Sequence, residues 1–111
     1  MNYTTIEQSK KLLELGLNPE TADMHFIKLI RDTDTVYIPE LLYDEPLSEI
    51  DYPCWSLAAL LDILPNYQLQ TQDDGIGIAC SCKGNFNIVT ANNPINACYE
   101  MILKLHELKM L

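Results

Sequence analysis

The 111-residue sequence predicts an α+β fold, and three observations predict it. Between Pro53 and Pro65 lie eleven residues, nine apolar and only Asp62 charged, which reads as a short helix destined for a protein interior. Residues 67–91 change to a period of two, broken by two tight turns, as in an antiparallel meander. From Pro94 onward one apolar stripe recurs at helical spacing. The expected architecture is a single α+β domain over residues 1–111. In it a three-stranded antiparallel meander packs against a C-terminal helix and a central buried helix, with an N-terminal helix at the side. One or two earlier strands are expected to extend the same sheet.

The first helix begins at Thr4 or Thr5, since Thr4 with Glu7 and Thr5 with Gln8 both have capping-box spacing. It ends before Gly16, with Leu17 placed for the closing apolar contact of a glycine-terminated helix. Asn18-Pro19-Glu20 restarts the chain as cap, first helical residue and acid at the positive dipole end, predicting a short helix through Met24. His25 to Ile30 suits a helix or a strand, and the strand is preferred. Thr35 to Ile38 reads as an edge strand, because Pro39 cannot donate to a central ladder.

In the central segment Pro53 is expected in the first helical turn and Pro65 marks the stop. Tyr67, Leu69 and Thr71 then form one strand face. Ile76, Ile78, Cys80 and Cys82 form the same face of the next strand, opposite Gly77, Ala79 and Ser81. Asp73-Asp74-Gly75 and Lys83-Gly84-Asn85 are the turns, and Phe86 to Thr90 the third strand. Asn93-Pro94 caps the last helix, whose stripe is Ile95, Cys98, Met101, Ile102, Leu105 and Leu108. Lys104, His106 and Lys109 fall at its negative end.

Charge excludes whole classes of function. Seven basic residues against sixteen acidic ones give a net charge of −9, and Arg31 is the only arginine. Binding to nucleic acid or to an anionic membrane depends on lysine and arginine, so neither is expected. The first residues have no basic region or apolar signal core, which predicts a soluble, cytoplasmic protein with reduced thiols.

Three stretches, Glu7 to Met24, Pro53 to Leu61 and Pro94 to Leu111, together resemble a set of small uncharacterised proteins of prophages and mobile elements of anaerobic gut bacteria. The resemblance implies an accessory protein of a mobile element and carries no activity, cofactor or catalytic residue.

Four thiols, Cys54, Cys80, Cys82 and Cys98, match the number a structural zinc needs, but without C-x-x-C knuckles they read first as reduced core residues. No local signature pairs a nucleophile with His25 or His106, so no catalytic residue and no cofactor is assigned. Trp55 reads as a core anchor, and Asp62 as a solvent-facing residue of the buried helix. From Asp32 to Asp51 there are seven acids and no base, with tyrosines among them. The leading expectation is therefore a non-enzymatic interaction protein, with a homodimer as one form of assembly. It would bind a basic protein partner through Asp32, Asp34, Tyr37, Glu40, Tyr43, Asp44, Glu45, Glu49 and Asp51. The alternatives are a metal-stabilised module using the four thiols and a small enzyme with a cleft near Trp55, Asp62 and His25.

Overall fold

The computed structural model describes residues 3–31, 34–41, 52–72, 75–82 and 85–109. Side chains are described for all of these except 28–31, 34–36, 40–41, 72, 82 and 85. Helix α1 (Ile6–Glu14) is followed by a 3-10 turn (Pro19–Thr21), strands β1 (Met24–Arg31), β2 (Asp34–Leu41) and β3 (Tyr52–Cys54), and helix α2 (Leu57–Ile63). Strands β4 (Tyr67–Gln72), β5 (Gly75–Cys82) and β6 (Asn85–Ala91) and helix α3 (Pro94–Glu107) complete the order. The fold is α+β with two three-stranded antiparallel sheets, ordered β2-β1-β3 and β4-β5-β6.

Local signals set the helix ends. Thr5 caps α1: its hydroxyl accepts from the Gln8 N–H at 3.1 Å, and the Gln8 side chain accepts from the Thr5 N–H at 3.0 Å. Gly16, at φ +90°, ends it, with its N–H on the Leu13 carbonyl and the Leu17 N–H on that of Leu12. Asn18 caps only one 3-10 turn, and the chain is extended again by Met24, so the helix expected there is a single turn. Asn93 caps α3 through the Asn96 N–H at 2.9 Å, with Pro94 at the first helical position.

The meander packs its apolar face on α3, which lies across β5 and β6, and α2 packs against α3. Ile78 and Cys80 of β5 and Ile95, Cys98, Met101, Ile102 and Leu105 of α3 are buried in one cluster with Leu12, Trp55, Ala59 and Leu60. Tyr67 shares the inner face through its register with Cys80, yet it is 45% exposed, because α3 stops short of the edge strand β4. Leu108 was expected in the α3 stripe but is 51% exposed, since the helix ends at Glu107 and the chain turns away. Gly75 (φ +148°) is required by close approach: a Cβ there would lie 2.2 Å from the Ala91 carbonyl oxygen.

Two expectations are corrected. The earlier strands do not extend the meander; they form their own sheet, in which β1 is flanked on both sides by β2 and β3. Pro53 does not open the central helix. It lies in β3 opposite His25, at a sheet edge, where a missing N–H costs no central pairing. The helix starts four residues later, capped by the Ser56 hydroxyl, which accepts from the Ala59 N–H at 3.3 Å. Pro39 occupies the opposite edge strand, β2, for the same reason.

Trp55, fully buried, sits between β3 and the helix cap. Its backbone N–H donates to the Thr4 hydroxyl at 3.1 Å, its carbonyl accepts from the Thr4 N–H at 2.9 Å, and its indole N–H donates to the Thr21 hydroxyl at 2.9 Å. Thr4 is itself fully buried and shares a 2.8 Å hydrogen bond with the Ser9 hydroxyl. Asp23 accepts from both the N–H (2.9 Å) and the hydroxyl of Ser56, so the strand-to-helix junction is held from the start of β1.

Thr4→Val removes the hydroxyl and leaves a buried N–H without its acceptor, which is expected to cost about 1–3 kcal/mol. Thr4→Ser, which keeps the hydroxyl, is expected to retain most of that stability. Urea unfolding checks both, with a lower midpoint and an unchanged m-value for the valine variant.

Candidate functional site

The acids expected to form a docking surface lie mostly beyond what the structure describes. Asp32, Tyr43, Asp44, Glu45, Glu49 and Asp51 fall outside the described residues. Asp34 and Glu40 are placed by backbone only, on β2 opposite Arg31 and His25. Tyr37 is half-buried and meets the Tyr52 ring edge to face, 5.7 Å between centroids at 62°. Lys10 of α1 stands 4.9 Å over the Tyr52 ring, and Tyr3 packs on Phe26 with centroids 6.5 Å apart. Lys10 on Tyr52 joins α1 to the first sheet, where Tyr37 packs on Tyr52.

The thiols do not form one group. Cys80 and Cys98 are buried together in the core between meander and α3. Cys54 lies elsewhere, donating to the Thr4 carbonyl at 3.6 Å with Asp23 as its charged neighbour. The side chain of Cys82 lies outside the described residues. Among the described residues no three His, Cys, Asp or Glu side chains come together as a metal site would need. Burial pushes the Cys54 thiol up to about 11 and the Cys98 thiol up to about 12, against an ordinary 9.0. Both are protonated at neutral pH and are poor nucleophiles.

The site the structure offers is a cleft of about 610 Å³ where three helix ends meet. The C-terminal end of α1 contributes Leu15, Gly16 and Leu17, and the turn after it Asn18 and Thr21. Ala59, Asp62 and Ile63 come from one face of α2, spaced three and four apart, and Ile102 and His106 from one face of α3. The floor is apolar: Ala59 and Ile102 are buried, and Leu15, Leu17 and Ile63 are half-buried walls. The rim is polar and exposed, with Asp62, His106, Asn18 and Thr21. Thr21 is fixed there because its hydroxyl accepts from the Trp55 indole and donates to the Asn18 carbonyl at 2.6 Å.

The electrostatics of this cleft are one-sided. Leu15, Ile63 and His106 lie in the last turn of α1, α2 and α3 or just past it, so the negative ends of three helix dipoles lie beside the cleft. Asp62 adds an acid to the rim, and among the described residues no lysine or arginine lines the cleft. Such a cavity suits a ligand with an apolar body and a cationic group.

Of the cleft expected near Trp55, Asp62 and His25, only Asp62 is found in place. Trp55 is sealed in the core, and His25 lies on β1 opposite Pro53. His106, in the last turn of α3, lines the cleft with Asp62 in place of His25. The sequence did contain the separate signs of this cleft: the Gly16 stop, the Pro65 stop and the cations closing α3 each mark a helix end.

No family model, no curated protein and no solved structure matches this chain. No helix among the described residues is long and apolar enough to cross a membrane.

The raised thiols make a pH prediction. The folded chain keeps these protons above the pH at which the unfolded chain releases them. Their contribution to stability is therefore complete below about pH 9 and is lost as pH rises towards 11–12. Thermal melts of reduced protein should show Tm steady up to pH 9 and falling above it. At pH 8, alkylation read by peptide mass mapping should run about a hundredfold slower at Cys54 and about a thousandfold slower at Cys98 in native protein than in urea, following from the raised thiol pKa values.

Proposed function

We propose that this chain is a non-enzymatic binding module that takes a basic, amphipathic segment of a partner protein into the cleft between α1, α2 and α3. The observation that carries this reading is the convergence of three helix C-terminal ends and Asp62 around an apolar floor. An apolar side chain of the partner fills the space over Ala59 and Ile102, and its neighbouring lysine or arginine meets Asp62 and the helix ends. The net charge of −9 acts over a longer range, drawing a basic partner in and disfavouring acidic ones. The acidic stretch from Asp32 to Asp51 adds to that field. An accessory role in a mobile element, acting on a protein of the element or its host, is the setting we assign to it.

A synthetic amphipathic leucine–lysine peptide tests the reading by NMR titration. Shifts are expected at Leu15–Asn18, Ala59–Ile63 and Ile102–His106. Asp62→Lys should weaken binding about tenfold, roughly 1.4 kcal/mol, and added salt should weaken it further. The same peptide with glutamate for lysine should not bind. Shifts confined to other residues, or affinity indifferent to Asp62→Lys, would refute the assignment.

A further inference from the structure

Away from the cleft, a groove of about 490 Å³ opens beside the first turns of α1 and α3. Asn92, Asn96, Glu100 and Lys104 line it at intervals of four, so they form one row running up onto α3. Gln8 of α1 and the end of β6 (residues 89–91) supply the other walls. The amides of this groove are linked in one direction. Gln8 Oε1 accepts from the Thr5 N–H at 3.0 Å, and Gln8 Nε2 donates to Asn96 Oδ1 at 2.8 Å. Asn96 Nδ2 donates to Asn92 Oδ1 at 2.8 Å, and Asn93 Nδ2 donates to the same oxygen at 3.2 Å. Each amide carbonyl is therefore engaged, while each amide nitrogen retains an N–H to give. That end of the groove offers donors. Beyond it come an acid and a base. Glu100 and Lys104 stand in the order that favours an ion pair across one helical turn, yet the ion pair formed among the described residues is Lys11 with Glu14. Both charges are left for a third party.

We propose that this groove binds a free α-amino acid whose side chain ends in a neutral amide. The row reads donor, acid, base, and its complement reads acceptor, cation, anion. The ligand's ammonium meets Glu100, its carboxylate meets Lys104, and its side-chain carbonyl accepts from the amide N–H groups of Asn92 and Asn96. Glu100 and Lys104 are rooted about 6 Å apart along the helix axis, and their long side chains can close on two charged groups borne by one carbon. A simple cation or a simple anion would leave one of the two unmet. The net charge of −9 selects an amide over a carboxylate at the far end of the ligand. Among the described residues no aromatic side chain lines the groove, which removes the stacking platform a nucleobase uses.

Titration of the full chain with L-glutamine, followed by proton–nitrogen NMR, tests the assignment. Shifts are expected at Gln8, Asn92, Asn96 and residues 100–104, with half-saturation at about 1–10 mM. N-acetyl-L-glutamine and L-glutamine amide each lack one of the two charges and should bind about tenfold more weakly; L-alanine, without the side-chain amide, should also bind more weakly. Glu100→Gln should bring glutamine and its N-acetyl form to equal affinity, and Lys104→Met should do the same for glutamine and its amide. A merely structural role for either residue would not erase discrimination one charge at a time. If a variant loses its circular dichroism, the ligand series on the wild type decides. No saturation by about 50 mM glutamine overturns the proposal. So do shifts confined to the cleft residues, equal binding of any of the three analogues to the wild type, or wild-type discrimination in both folded variants. The cleft shares no residue with this groove, so either assignment can fail without the other.

Discussion

The fold depends on how Trp55 is held. Its ring fills the middle of the core, and its three polar atoms bond to residues from two distant parts of the chain. Thr4, 51 positions earlier, takes the backbone N–H and supplies the carbonyl's donor; Thr21, 34 positions earlier, takes the indole. Trp55 and Thr4 are fully buried and cannot fall back on water, so the bonds between them are an obligation rather than an ornament. The result ties the start of α1, the turn before β1 and the entry to α2 to one side chain. The cleft inherits its rigidity from this arrangement, since Thr21 on its rim is fixed by the same indole.

At the cleft, Asp62 and the last turns of three helices lie around an apolar floor, so the charge of an acidic chain acts there beside hydrophobic surface.

Much of the fold was legible because its signals are local. The Thr5–Gln8 capping box, the Gly16 stop, the Asn93-Pro94 start and the alternation from Tyr67 to Cys82 each act within a few residues, and each appears where expected. The errors arose where one residue satisfies two rules. Pro53 suits a first helical turn and an edge strand equally, and only the arrival of β1 alongside decides between them. Likewise Thr4 and Thr5 offer the same cap, and burial of Thr4 under Trp55 settles which is used. The candidate site was the least legible part. Asp62 stood out as the one charge of its helix, but the meeting of three helix ends is a property of packing, and no spacing in the chain encodes it. His25 lies on β1, as the strand reading of His25 to Ile30 expected, and does not line the cleft.

The bond between Thr4 and Trp55 also orders events during translation. Helix α1 has a good cap and a good stop, yet nine residues are too few to persist alone in water. Its docking surface includes β3, which emerges from the ribosome roughly forty residues after α1 does. At about 5–20 residues per second, the leading segment therefore spends several seconds waiting for its tryptophan. Any chaperone or protease that meets the nascent chain meets it in that interval, with Leu12 and Leu13 still uncovered.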